Sequence, residues 1–163
     1  MTPRRRSPTN NHALDEITAE VDAPPEHVWR LVTDLTNMGR WSPECHRCEW
    51  VGGASGPAVG AMFKGWNQRG LMRWSTVSTV VIADEPSHFA WEVKQSRMRW
   101  GYRFEAAGER GTLVTEYRDE LARKPAHVRL AYKLRLLGRD PDAIVRAGMQ
   151  ETLNRLKQGA EDT

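Results

Sequence analysis

The sequence predicts an α+β fold: a curved, seven-stranded antiparallel sheet wrapped around a long C-terminal helix, with a short helical segment after the first strand. Three observations carry this. Segments with β-type patterning follow one another through the middle of the chain, separated only by turn residues. Such strands pair as hairpins, because parallel crossovers would need a helix between each pair. The closing segment bears an apolar stripe at helical spacing, and that stripe must bury itself on one sheet face. Between the first strand and the rest stands a proline-led amphipathic stretch.

The chain has 163 residues, 39% hydrophobic and 28% charged, which suits one globular domain. A domain of this size buries about 70% of its unfolded surface and needs neither disulfide nor metal to fold. No apolar run is long enough for a membrane span. The start, Met1 to Asn11, lacks the apolar core of a secretory signal, and with two cysteines the expectation is a reducing cytoplasm. Arg4, Arg5 and Arg6 account for the whole excess of 24 Lys and Arg over 21 Asp and Glu. A neutral domain with a short basic tail does not present the clustered basic face of a nucleic-acid binder, so no DNA partner is expected.

Residues 1–11 are polar and carry two prolines, which predicts a disordered tail; residues 12–161 form the domain. Ile17, Ala19 and Val21 alternate with Thr18, Glu20 and Asp22, the period of a half-buried strand. Asp22 to Glu26 reads as a helix start, and Val28, Leu31, Val32 and Leu35 form its stripe until Gly39 and Ser42-Pro43. Strands follow over Arg47 to Val51, Ala61 to Gln68, Met72 to Ala83, His88 to Lys94, Arg99 to Ala106 and Leu113 to Leu121. Their turns lie at Gly52 to Gly60, Gly70, Asp84 to Pro86 and Gly108 to Gly111. Pro125 to Leu137 is helical without a clean stripe. Asp140-Pro141-Asp142 then caps the last helix, where Val145, Met149, Thr152, Leu153 and Leu156 share a face. If the sheet curves strongly, sheet and helix cannot touch everywhere, and a cavity remains between them.

In this order, several segments resemble the START-like (SRPBCC) superfamily, in particular its polyketide cyclase/dehydrase-type members. They are AEVDAPPEHVWRLVTDLTNMGRW, WSPECHRCEW, VGAMFKGWNQRG, RWSTVSTVV, EPSHFAWEV, WGYRFEA with GTLVTE, and GMQETLNRLK. The likeness runs from about His12 to Glu161. It implies the helix-grip fold and a small hydrophobic ligand, lipid-like or polyketide-like, with or without cyclase/dehydrase-type acid–base chemistry. The superfamily also hosts carriers, receptors, hydrolases and ribosome-associated factors, and it shares no catalytic signature that could be carried over residue by residue.

Aromatic residues are the candidate cavity wall. Phe89, Trp91 and Val93 share one strand face, as do Trp100, Tyr102 and Phe104, while Glu92, Lys94, Arg103 and Glu105 face water. Trp74 shares a face with Thr76, Ser78 and Val80, and Phe63 with Gly65 and Asn67. Plain core packing would explain any one of these residues. Small and polar neighbours such as Gly65, Thr76 and Ser78 favour a cavity, because a packed core would place Leu, Ile or Val there. The candidate ligand-binding set is Trp41, Phe63, Asn67, Trp74, Trp91, Trp100, Tyr102, Met149 and Leu153. An enclosed void of at least about 300 Å³ would suit a ligand.

Candidates for an acid–base role are Glu116, Asn67 and His46. Glu116 shares parity with Val114. Turned inward it would be a carboxyl in apolar surroundings, with a raised pKa; turned outward it would lie in solvent beside Arg118. Asn67 belongs either to the cavity or to the turn chemistry beside Arg69-Gly70. His46, an imidazole able to give or take a proton, sits either at the cavity mouth or on the plain surface. Cys45, His46 and Cys48 form C-H-x-C with no second ligand pair, and His12, His27, His88 and His127 are scattered, so no metal is expected. A disulfide at this spacing needs a turn, and a reducing compartment argues against it. No phosphate-cradling loop, dinucleotide fingerprint or G-x-S-x-G is present, and no cofactor is expected. The stretch 123–139 is basic, with Leu130, Tyr132, Leu134, Leu136 and Leu137 interleaved. It offers a second reading, a regulatory protein that contacts a membrane or ribosome, against a helix simply packed on the sheet edge. The oligomeric state is not encoded in any of these features.

Overall fold

The computed structural model describes residues 14–122, 126–134 and 140–162. The tail expected over 1–11 and both ends of the basic stretch, 123–125 and 135–139, lie outside them. In β1 (Asp15–Val21) Ile17, Ala19 and Val21 turn inward while Glu16, Thr18 and Glu20 are exposed. Pro24 and Pro25 open α1 (Pro25–Thr33), where a missing N–H costs no helical hydrogen bond. Val28, Trp29 and Val32 are its buried face. Leu35, expected on the same helix, is buried from a 3-10 turn (Leu35–Asn37) instead. Asp34 causes the break, since its Oδ1 accepts the Thr36 N–H at 3.2 Å. A one-turn helix, α2 (Met38–Trp41), completes this corner.

Six strands then meander without an intervening helix: β2 (Cys45–Val51), β3 (Met62–Arg69), β4 (Met72–Asp84), β5 (His88–Val93), β6 (Met98–Ala107) and β7 (Gly111–Glu120). β1 returns to pair with β7, so the sheet order is β1-β7-β6-β5-β4-β3-β2, antiparallel throughout. Gly70, at φ +59°, opens the two-residue loop between the paired Arg69 and Met72. Bulges interrupt β2 between Cys45 and Arg47 and β4 between Val80 and Ile82, and such insertions bend and twist a sheet. On the outer face Lys94 and Glu105 are exposed as expected. Glu92 and Arg103 are partly covered there by ion pairs with Arg99 and Glu16.

The short helix α3 (Ala126–Lys133) leads to α4 (Pro141–Glu161). Asp140 Oδ1 caps α4 by accepting the Ala143 N–H at 2.9 Å. Met149, Thr152, Leu153 and Leu156 are buried along its stripe, and Val145 at the start is half-buried. Arg118 ties the helix start to the sheet edge: Nε donates to Asp15 Oδ2 at 2.5 Å and Nη2 to Asp142 Oδ1 at 2.8 Å.

The space between sheet and α4 is filled at one end. There Trp29 meets Phe89 and Phe104 edge-on, with ring centroids 5.8 and 5.9 Å apart. Leu35, Val114, Leu153 and Leu156 close this core. The other end is hollow.

Candidate functional site

Strand alternation decides which side chains face the hollow end. β3 contributes Phe63, Gly65 and Asn67, and β4 contributes Trp74, Thr76 and Ser78. Trp91 and Val93 come from β5, Met98, Trp100 and Tyr102 from β6, and Glu116 and Arg118 from β7. With Met38, Cys45, Cys48 and Thr152 they bound a cavity of about 600 Å³, a size that suits a small ligand. Exposed Gln95, Ser96 and His127 mark where it meets solvent. Cross-strand pairing keeps the space open, because bulky Phe63 lies opposite small Ser78, and Trp74 opposite Asn67. The rings brace one another: Phe63 meets Trp91 edge-on at 5.8 Å, and Trp91 lies 6.0 Å from Tyr102.

Glu116 is buried, directly across from Tyr102 in the β6–β7 ladder. Burial pushes its carboxyl up to about 8, and the hydrogen bond from Tyr102 opposes the rise only in part. Its Oε2 has no hydrogen-bond partner among the described residues. Burial therefore favours the protonated carboxyl at neutral pH, and in that form it can donate to a carbonyl oxygen. A second cleft of about 390 Å³ lies between α4 and the β3–β4 hairpin and shares Ser42, Glu44, Trp100, Glu116 and Thr152 with the cavity. Glu116 stands where the two spaces meet.

The outward alternative for Glu116, beside Arg118 in solvent, is corrected: both residues are buried and line the cavity. Asp15 and Asp142 neutralise Arg118, which is what allows an arginine to turn inward. Asn67 lies within β3 on the cavity wall rather than in the Gly70 turn. Phe63, Trp74, Trp91, Trp100 and Tyr102 line the cavity with it. Met149 lines only the second cleft. Trp41 and Leu153 lie in the packed core and line neither space. A Cβ on Gly159 would come within 2.5 Å of the Trp41 ring, so α4 presses directly on that indole. His46 is exposed on β2 and lines neither space.

Sequence reasoning missed Cys45 and Cys48 as cavity residues, since their spacing puts them on opposite faces of a regular strand. The β2 bulge brings both inward. Among the described residues no group of three or more His, Cys, Asp or Glu is placed to hold a metal ion. No described helix is long and apolar enough to cross a membrane.

The family model described as polyketide cyclase/dehydrase and lipid transport matches residues 16–161. No curated protein matches the sequence. Among solved structures, the ZhuI aromatase/cyclase from Streptomyces sp. R1128 aligns with a TM-score of 0.70 at 15% identity, over 90% of this chain and 92% of that one. A START superfamily protein from Mycobacterium smegmatis aligns at 0.67 and 16% identity, over 91% and 97%. A polyketide-cyclase-like protein from Corynebacterium glutamicum is 30% identical over 90% of this chain and 84% of its own, with a TM-score of 0.50. The chain spans 44% of the length of the di-domain aromatase/cyclase StfQ of the steffimycin biosynthetic pathway. At 15 and 16% identity the first two show the shared helix-grip fold.

Proposed function

We propose a function on the footing that the chain belongs to the polyketide cyclase/dehydrase and lipid transport family: it binds a small hydrophobic molecule, lipid-like or polyketide-like, between sheet and α4. The observation that carries this reading is the cavity of about 600 Å³, walled by aromatic rings and holding one buried carboxyl. A ligand that buries about 400 Å² of apolar surface gains about 10 kcal/mol. Association costs at least about 4 kcal/mol of this, which leaves affinities between millimolar and micromolar. The rings give shape selection, and Glu116 and Asn67 orient a polar end. The same arrangement supports cyclase/dehydrase-type acid–base chemistry, with Glu116 giving its proton to a ligand carbonyl and recovering one from an adjacent carbon.

Trp74, Trp91 and Trp100 line the space, so intrinsic fluorescence reports its occupancy. Titration with fatty acids, flavonoids or aromatic polyketide mimics is expected to give saturable quenching at tens to hundreds of micromolar, weakened in Trp91→Ala. A flat response to all three classes overturns the reading. The second reading, contact with a membrane or ribosome through 123–139, has in its favour exposed Leu130 and Leu134 beside exposed Arg129 and Lys133. Salt-sensitive co-sedimentation with anionic vesicles or ribosomes, in a protein that shows no fluorescence response, would establish it instead.

A further inference from the structure

Cys45 and Cys48 lie on either side of the β2 bulge, with Sγ atoms 3.3 Å apart. Both line the cavity. Gly65, on the neighbouring strand, lies against both sulfurs: a Cβ there would make ordinary contact, 3.4 Å from Cys45 Sγ and 3.6 Å from Cys48 Sγ. The pair is asymmetric, since Cys45 is partly exposed and Cys48 is buried. A disulfide bond is about 2.05 Å long, so the two sulfurs, already brought to one side of the strand by the bulge, need to approach about 1.2 Å further to bond.

We propose that Cys45 and Cys48 form a redox-active dithiol that closes to a disulfide at the expense of a hydroperoxide entering the cavity. In the first step the Cys45 sulfur, as thiolate, attacks the distal peroxide oxygen. An S–O bond forms, the O–O bond breaks, and the other oxygen leaves with the thiol proton as water or alcohol. In the second step Cys48 gives up its proton and attacks the Cys45 sulfur of the sulfenic acid. An S–S bond forms, the S–O bond breaks, and the displaced hydroxide takes up that proton as water. Two thiols lose two electrons, and the peroxide gains them. An added dithiol reverses the closure by exchange. The roles follow from the surroundings: the S–H of Cys48 holds the Cys45 thiol below its ordinary range, against the effect of burial. The bond to Cys45, then burial, push the Cys48 thiol up.

The test uses the full chain, reduced and then exposed to hydrogen peroxide, and needs no cavity ligand, so it stands apart from the function proposed above. Trypsin cuts after Arg47, between the two cysteines, so a closed disulfide joins two otherwise separate peptides. One equivalent of peroxide is expected to remove both titratable thiols together, with the loss of two hydrogens in mass and full recovery on dithiothreitol. In Cys48→Ser, Cys45 should run on to sulfenic and sulfinic acid. In Cys45→Ser, the remaining thiol should react at least about tenfold more slowly. Two thiols still free after excess peroxide overturn the proposal. So does a sulfinate on Cys45 in the unmutated protein with Cys48 unreacted.

Discussion

Glu116 keeps a proton that the unfolded chain would lose, and that difference is measurable. The unfolded carboxyl ionises near its ordinary value of 4.5, whereas burial holds the native one protonated up to about 8. In that window the native state binds more protons, so stability falls as pH rises, by up to about 1.4 kcal/mol per pH unit. Glu116→Gln is expected to flatten this slope and to be the more stable form at pH 8, as read by urea denaturation across the range. The same proton is a donor to ligands. Affinity for a carbonyl-bearing ligand should drop as pH passes about 8, and the Gln variant should retain its neutral-pH affinity without the drop. Strand parity made Glu116 a legible candidate. What decided its direction was Arg118, and one sequence does not show that Asp15 and Asp142 lie close enough to neutralise it. On the outer face, Gly101 is the residue with least room, because a Cβ would lie 2.5 Å from the Tyr117 ring. Gly101→Ala should displace Tyr117 and break its 2.7 Å hydrogen bond with His88, at about 1–3 kcal/mol by thermal melts.

Secondary-structure elements carry most of what the sequence made legible. Every predicted strand lies within two residues of its observed bounds, since turn residues and alternation report directly on hairpins. The β2 bulge was not legible: an inserted residue shifts the face of everything before it without any residue type that announces it. The inward turn of the cysteine pair was therefore missed, while His46 took the surface position, one of its two readings. The joint between β7, β1 and α4 also escaped sequence reading, being made by residues far apart in the chain. Arg118 and Asp15 side chains are only 6% and 7% exposed there, and Asp142 is more open at 37%. Arg118→Ala takes from buried Asp15 its shorter ion pair and leaves it only Arg146, at 3.2 Å, and a loss of about 1–3 kcal/mol is expected by equilibrium denaturation. Asp142→Asn, at the more exposed contact, should cost no more than about 1 kcal/mol. Equal effects from the two variants would show that Arg118 is not the centre of the joint.

At the scale of the molecule, one continuous sheet serves two purposes, and the division lies along α4. Leu153 and Leu156 face the filled end, whereas Thr152 reaches the cavity. The two ends should respond oppositely to changes in side-chain volume. Leu153→Ala removes atoms from a closed core and should cost about 2–5 kcal/mol while leaving ligand affinity nearly unchanged. Ser78→Leu adds atoms where Phe63 and Val93 flank a small residue on the cavity wall. If that space is available, the added methyl groups enter it without forcing neighbours off their rotamers. Stability then holds or rises slightly while the fluorescence response to ligand is lost. If the rings instead close the space in solution, the same substitution overpacks a full core, and stability falls by about 1–3 kcal/mol. Denaturation and ligand titration on this one variant therefore distinguish a hollow end from a filled one, because only a hollow end lets binding disappear while the fold stays as stable as before.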